Sequence, residues 1–562
     1  MKYAADFETT TDPRDCRVWA WGLYEIESET FEYGNNLDEF FARFMKRSAT
    51  VYFHNLKFDG EFILYWLYRH GFTYYESNKK MPEKTFTTLI SDSGQWYTMT
   101  ICMRTTRTQS IRLKINDSLK LLPFSVSEIA RSFKMDDQKG KIDYTMNRPV
   151  GYELTEDEIE YIRKDVAIVG HALKQLFIQN MNSITIGANA LKDYKRVLGG
   201  RFFEYYFPQP NYDEDVRLSY RGGFTYLNPK YASREIGPGI VLDVNSLYPY
   251  VMYDRPMPVG DGVYFDGQYP DNRIYPLYVQ MIKCQFELKP GHIPTIQIKT
   301  PSIYFNPVEY VTSSGIEEIT LCLTSVDLQL FMDQYDVYNI EYLGGWMFHS
   351  ALGLFSDYID KWTAAKVQAK VENNHGLYIL AKLMLNSLYG KFATNPKVKS
   401  KVPVYDPTDD FIHLKVVDQD DRDPVYIPAG TFITAYAREI TIRAAQTVYD
   451  RFIYADTDSL HLLGTELPNL DIDPARLGAW DHELTFEKGF YIRSKTYIEI
   501  GHAPGETESR LKVTCAGMPE RLHDQVTFEN FRKGKVYHNK LRPLRVPGGV
   551  VLENSNFRIK DL

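Results

Sequence analysis

In the run FIYADTDSLHL, residues 452–462, Asp456 and Asp458 flank a small Thr457 inside an apolar, β-prone stretch. Two carboxylates this close repel each other, and burying them is costly unless a cation neutralises them. A third acid, Asp243, ends the apolar start of GIVLDVNSLYPYVM. Three acids from two distant segments can hold a pair of divalent cations, activate a hydroxyl and clamp a triphosphate. A second set lies near the N-terminus. Asp6 and Glu8 in YAADFETT are two apart, so on a strand they share a face and Phe7 takes the other. Asp59 follows in FHNLKFDG, and Tyr161 and Asp165 in YIRKD are four apart, on one helix face. Four acids from separate elements can hold two divalent cations, and such a pair activates water for in-line phosphodiester hydrolysis. Oxygen-only ligands favour Mg²⁺ or Mn²⁺.

Other residues suit phosphate and base contacts. On a helix over AKLMLNSLYGKF, Lys382, Asn386 and Tyr389 are spaced four and three and share a face. In SKTYIEI, Lys495 and Tyr497 fall on one strand face. A lysine there can neutralise phosphate and a tyrosine can stack on a base.

The elements that must position these groups are partly readable. Residues 3–8 and 50–54 read as strands, and 36–47 and 58–71 as helices. Residues 153–177 form the clearest helix, acidic at its start and basic later, as the helix dipole prefers. An alternating strand-and-helix unit ends near 180. Residues 218–253 read as strand, loop and strand. Residues 255–350, rich in Pro, Tyr and Gly, read as an insertion of short strands. LFSDYIDKWTAAKVQAKV and GLYILAKLMLNSLYG read as a helical hairpin joined near Asn373–Gly376. Residues 396–428, rich in Pro and Asp, read as a second insertion. Strands and a helix run to about 500, before a small basic terminal unit. Gly548 and Gly549 in VPGGV read as a turn before a final strand, because no Lys-Ser/Thr follows to make a phosphate loop.

The chain has 562 residues, too many for one core, and 44% hydrophobic with 25% charged residues is ordinary for a soluble globular protein. No apolar run reaches the roughly 18–20 residues needed to span a bilayer. MKYAADFETT carries acids where a signal peptide has its apolar core. Five scattered cysteines form no CxxC, and twelve histidines form no ligand cluster, which argues against disulfides and zinc. The net charge of −8 argues weakly against a nucleic-acid partner, but its distribution does not. Residues 488–562 hold 14 Lys/Arg against 8 Asp/Glu, and 354–401 hold 8 against 3. Residues 406–423 hold seven Asp and two basic residues. Basic tracts beside carboxylate clusters suit an enzyme that grips phosphates and holds metal ions.

The first set, in this order on strand, loop and helix, resembles the DEDD-type 3′–5′ exonuclease fold in its tyrosine-containing subtype. DVNSLYP, KLMLNSLYG, YADTDS and KTY, in that order behind it, resemble the polymerase motifs of family B DNA polymerases. YRGG at 220–223 and the two insertions are similar to features of the protein-primed subgroup of small tailed phages. The resemblance covers nearly the whole chain. It implies an α/β plus α+β multidomain protein, with an RNase H-like exonuclease domain and a right-hand polymerase domain. The implied division is exonuclease 1–182, palm 183–254 and 429–515, insertions 255–353 and 395–428, fingers 354–394 and thumb 516–562.

The resemblance also implies roles. Asp6, Glu8, Asp59 and Asp165 bind metal and catalyse hydrolysis, and Tyr161 orients the attacking water. Thr9, His54, Asn55, Phe58, Phe62, Ser118, Leu119, Lys139 and Tyr144 hold a single-stranded 3′ end. Asp243 and Asp458, with the Val244 carbonyl, bind metal, and Asp456 supports catalysis. Each site takes two Mg²⁺ or Mn²⁺ ions. Tyr248 selects deoxynucleotides, Lys366 and Lys382 contact triphosphate, and Tyr389 meets the nascent base pair, with Asn386 beside it. Ser246, Gly390, Lys495 and Tyr497 stabilise primer or template, and Tyr220, Gly222 and Gly223 bind DNA and couple synthesis to proofreading. The implied partners are DNA, deoxynucleoside triphosphates and a terminal protein that primes a linear viral genome, in the cytoplasm of an infected bacterium. The stretch between Lys366 and Lys382 is longer than the family pattern, and the second insertion is acidic, so that hairpin is expected to touch protein or act as a wedge. The rival readings are a nuclease with a degenerate polymerase half, a non-catalytic DNA-binding replication factor, and an RNA-synthesising polymerase.

Overall fold

The computed structural model describes residues 1–135, 142–299, 308–419 and 422–560. Lys139 lies outside the described residues.

The N-terminal sheet has eight strands in the order Thr30–Gly34, Val18–Glu25, Lys2–Thr9, Ala49–Phe53, Ser110–Asp117, Trp96–Thr105, Thr85–Ile90 and Thr73–Tyr74. Its centre is parallel, since Ala49–Phe53 pairs in parallel with both Lys2–Thr9 and Ser110–Asp117. Residues of Lys2–Thr9 alternate between two cores. Phe7 packs with the helix Leu56–Arg69 on one face, and Ala4 packs with the helix Glu156–Ile178 on the other. That second helix starts on a capping box, Thr155 with Glu158, and Glu158 also takes a buried ion pair from Arg148 at 2.8 Å. The helix read over 36–47 covers only Leu37–Ala42. Its end gives way to tight turns through 43–48, where Phe44 still tucks into the core but the flanking residues do not.

The second sheet, also of eight strands, is antiparallel, in the order Arg510–Cys515, Thr496–His502, Trp480–Arg493, Gly239–Val244, Ser459–Leu463, Phe452–Asp456 and Thr225–Leu227, with Glu235–Ile236 pairing to the side of Trp480–Arg493. The helices Leu247–Asp254 and Ile427–Thr447 pack together, and the long one also touches the strands Phe452–Asp456 and Ser459–Leu463. Residues 247–254 are thus a helix where the sequence reading had strand. Pro249 falls in its first turn, where a missing N–H costs nothing.

Ser356–Val371 and His375–Ser387 form the expected helical hairpin. The second helix ends one residue before Leu388, and Tyr389 opens a short helix, Tyr389–Phe392. Leu388 keeps a right-handed helical backbone, so the chain bends without unwinding. The first insertion holds the short strands Gln297–Lys299 and Val308–Tyr310, but long ones dominate it. Met257–Phe265, Tyr335–Ala351, Leu277–Leu288 and Ile319–Thr324 form one antiparallel sheet whose longest strand has 17 residues. Gly260 and Gly262 sit at an irregularity, where pairing skips between Val259 and Val263, so glycine here marks a break within a long strand rather than its end.

Two hairpins close back on the N-terminal unit. In Lys399–Asp406 with Phe411–Asp418, Ile412 joins the core of Phe7 and Phe53. Tyr68 stacks on Tyr405 and donates to the Pro403 carbonyl at 2.8 Å, and Arg69 pairs with Asp410 at 2.7 Å. In Val536–Val546 with Gly549–Arg558, Val546, Val550 and Val551 join the same core. Among the described residues no helix is long and apolar enough to cross a membrane.

Candidate active sites

The first acidic set meets at the ends of the parallel strands. Asp6, Glu8, Asp59, Tyr161 and Asp165 line one cavity of about 880 Å³, with Thr9, His54, Asn55, Phe58 and Tyr144. Asp59 sits in the first turn of Leu56–Arg69 and is 4% exposed. Burial, and then the charge of Asp6, push its carboxyl well above the usual carboxylate range. Asp59 Oδ1 is buried with no hydrogen-bond partner. A buried oxygen without a donor, among acids that raise one another, fits a divalent cation. Tyr144 donates to Glu8 Oε2 at 3.1 Å. His54 lies between the Ser118 hydroxyl at 3.0 Å and the Phe124 carbonyl at 2.7 Å.

Three of the residues expected to touch a strand end do not reach this cavity. Ser118 is fully buried and donates to the Phe53 carbonyl, so it supports His54 from behind. Phe62 is buried in the core against Gly549. Leu119 lies half-buried outside the lining, its N–H taken by Asp117 at 3.0 Å. The other wall of the cavity comes from the C-terminal hairpin, through Leu541, Pro543, Arg545 and Leu552.

The second set meets about a smaller opening of about 410 Å³ lined by Asp243, Asp456, Asp458, Lys495 and Tyr497, together with Glu483 and Lys512. Asp243, the last residue but one of Gly239–Val244, stands directly opposite Ser459. The Asp456–Asp458 pair sits on a tight turn in which Thr457 takes φ +62°, unusual for a β-branched residue. Thr457 donates its N–H to Phe224 O at 2.6 Å, and its carbonyl accepts from Thr441 Oγ1 at 2.7 Å, which holds the turn. Burial, then Asp458 and Glu483, push Asp243 up to about 8, while Lys382 pulls the other way. Burial also raises Asp458, with Asp456 adding to it. This donor set too fits a divalent cation. The Val244 N–H is taken by the Asp458 carbonyl at 2.8 Å.

Tyr248 stacks on Tyr389, with ring centroids 3.8 Å apart and planes at 13°. Lys382, Asn386 and Gly390 are exposed along the same stretch. Lys366 instead stands over the Tyr378 ring at 5.7 Å. Ser246 precedes the helix Leu247–Asp254 in a left-handed conformation, φ +56°. Lys495 and Tyr497 do not share a strand face. Lys495 occupies the turn before Thr496–His502, with φ +56°, and its Nζ reaches Asp456 at 3.2 Å. Tyr497 is buried against Tyr454, His461 and Tyr491. Tyr220 packs against the separate core of Leu242, Val251 and Phe432, Gly222 is open to solvent, and a Cβ on Gly223 would stand 2.6 Å from Thr457 Oγ1. Glycine at 223 is what lets the YRGG segment touch the Asp456–Asp458 turn.

A tighter acidic group exists elsewhere. Among the described residues, Asp406, Asp409 and His413 bring three ligand atoms within 4.8 Å, at the exposed hairpin tip.

Residues 41–148 and 141–477 match the family model described as DNA polymerase type B, organellar and viral. The DNA polymerase of Bacillus phage Nf is 47% identical over 576 residues, covering 99% of both chains. The chain belongs to the type B DNA polymerases. It is a DNA-directed DNA polymerase of the phage phi29 type. An orthorhombic crystal form of Phi29 DNA polymerase superposes with a TM-score of 0.95 at 46% identity, covering 100% of both chains. The same enzyme complexed with primer-template DNA and incoming nucleotide gives 0.93 at 46% identity, again over 100% of both chains. The fold is accordingly an exonuclease-type domain joined to a polymerase domain.

Several residues of this polymerase escaped the sequence reading. Arg438, 3% exposed, donates to the carbonyls of Arg221 and Gly222 at 2.7 and 2.8 Å and pairs with Asp327 at 2.8 Å. Asp327 lies in the first insertion, which is thereby tied to the YRGG segment. Glu483 and Lys512 line the opening of Asp243 and Asp458, 3.5 Å apart. Tyr454 donates to Asp456 Oδ2 at 3.1 Å. Nothing in local spacing signals these pairs. Only an arginine inside the otherwise apolar GTFITAYAREI marks Arg438 as a buried charge in need of a partner.

Proposed function

We propose that this polymerase initiates on a terminal-protein hydroxyl, extends DNA primers processively with strand displacement, and removes mispaired 3′ ends at a second site. The observation that carries this reading is the pair of acidic clusters in separate cavities of one chain, one with the buried Asp59 oxygen and one with Asp243 held near 8.

At the synthesis site, Asp243, Asp458 and the Val244 carbonyl would hold Mg²⁺ or Mn²⁺, two ions at a time, which when bound neutralise triphosphate charge and acidify the primer hydroxyl. Tyr248 and Tyr389 provide a flat wall under the incoming sugar and beside the base, which leaves no room for a 2′-hydroxyl. Lys382, with Asn386 on the same exposed face, meets the triphosphate, and Lys366 supplies a further charge. Asp456 supports catalysis, Lys495, Ser246 and Gly390 steady the primer end, and Tyr497 backs them from the core. Tyr220, Gly222 and Gly223 line the strand's path between the two sites.

At the other site Asp6, Glu8, Asp59 and Asp165 would hold the cations, and Tyr161 orients the attacking water. Thr9, Asn55, Phe58 and Tyr144 grip the unpaired end by stacking and hydrogen bonds, with His54 positioned by Ser118. DNA and deoxynucleotides are the substrates, and the host cytoplasm is the setting. The division at 182, 254, 353, 394, 428 and 515 serves as the working domain map.

The test is a set of separable mutants. D6A with D59A should abolish degradation of single-stranded DNA and leave primer extension within about twofold, and D456A should do the reverse. Loss of both activities in either folded mutant contradicts two independent sites. Labelled nucleotide becoming covalently attached to the candidate terminal protein tests the priming step.

A further inference from the structure

The strand Thr225–Leu227 is the edge of the second sheet, and in its antiparallel pairing Thr225 stands directly opposite Asp456. Residues opposite each other project on the same face, so the threonine hydroxyl meets the carboxylate. Thr225 Oγ1 donates to Asp456 Oδ1 at 3.0 Å. Tyr454 donates to the other oxygen at 3.1 Å, and Lys495 reaches Oδ1 at 3.2 Å. Asp456 is thus held from three sides by three different elements, whereas Asp59 keeps a bare oxygen at the other site.

Thr225 is itself held. Its N–H donates to the Tyr310 hydroxyl at 3.2 Å, and that hydroxyl also accepts from Gln297 Nε2. Both partners belong to the first insertion. One residue earlier, Phe224 O receives the Thr457 N–H. A two-residue segment next to YRGG therefore grips the catalytic turn by backbone and side chain together.

We propose that Thr225 is a positioning residue for nucleotidyl transfer: its hydroxyl fixes the carboxylate of Asp456 between Tyr454 and Lys495. This rests on the synthesis role given to Asp456 above. Without the hydroxyl, the carboxylate keeps only Tyr454 on one oxygen and Lys495 on the other, and the active arrangement becomes one of several. Binding of nucleotide, governed by Lys382 and the Tyr248–Tyr389 wall, is untouched. The loss falls on the chemical step.

The experiment is single-turnover primer extension by the full chain, comparing wild type with Thr225→Val and Thr225→Ser. Valine keeps the β-branched shape and removes only the hydroxyl. Thr225→Val should lower the maximal rate about tenfold, the scale of one hydrogen bond to a charged group, with the nucleotide KM within about twofold. Thr225→Ser should recover most of the rate. A Thr225→Val rate equal to wild type overturns the inference and leaves the polymerase reading standing. A Thr225→Ser as slow as Thr225→Val, or a loss that appears only in KM, also overturns it. Thr225→Ala makes the same comparison if the valine variant fails to fold, its rate read against that of Thr225→Ser.

Discussion

Single carboxylates set the balance of both sites. Asp243 is the sharpest case, because burial, Asp458 and Glu483 lift it from an ordinary 3.8 to about 8. The sign of the consequence follows from linkage. A group raised in the folded state binds more protons folded than unfolded, so its contribution is fully present below about pH 4 and is lost as pH rises through about 8. In chelator, D243N should therefore melt above wild type at pH 8, by on the order of 2–4 °C, and the gap should close towards pH 4. Differential scanning fluorimetry across pH reads this directly, and added Mg²⁺ or Mn²⁺ should raise wild type more than D243N. A gap that widens towards low pH would contradict the account. At Gly223 the argument is steric. An alanine Cβ would stand 2.6 Å from Thr457 Oγ1, so G223A should slow primer extension at least about tenfold while leaving the fold cooperative, checked by extension rate and thermal melt.

Between elements, buried ion pairs join segments far apart in the chain. Arg545 on the C-terminal hairpin reaches Glu61 on the helix Leu56–Arg69 at 2.7 Å, and the glutamate side chain is only 3% exposed. Burial raises the Glu61 carboxyl and Arg545 lowers it again. Removing one partner leaves a buried charge alone, which is costlier than the pair is worth. R545A should thus lose about 3 kcal/mol of stability, whereas the double variant E61A with R545A should lose less than the sum of the two single losses. Denaturant melts of the four proteins make the cycle. The same hairpin walls the cavity of Asp6 and Asp59, so R545A should also weaken degradation of single-stranded DNA. The legible part of this level was the elements themselves. The helix 153–177 and the helical hairpin showed in apolar periodicity and caps. The helix 247–254 did not, because a proline and several β-prone residues spoke for strand, and packing against Ile427–Thr447 overrode them.

Over the whole molecule, the two largest apolar cores each cross from the N-terminal unit to later segments of the chain. One cluster runs from Ala4 and Leu173 through Leu242 and Val251 to Met384 and Phe432. Another joins Phe7 and Phe53 to Ile412 and Val551. Units that share cores unfold together. Calorimetry on the full chain should show one main transition, and two transitions separated by more than about 10 °C would refute this coupling. The amino-acid sequence alone marked which acids are candidates for chemistry, because a metal-holding set needs particular residue types at spacings of two and four along a strand or helix, and those spacings are local. It also determined the order of the motifs, and with it the family. Only the tertiary structure decided that Thr225 faces Asp456, that Arg438 ties Asp327 to the YRGG carbonyls, and that Arg545 reaches Glu61 across 484 positions. Such pairs obey no period. Each arises because a buried polar group must find a partner wherever packing happens to bring one within about 3 Å.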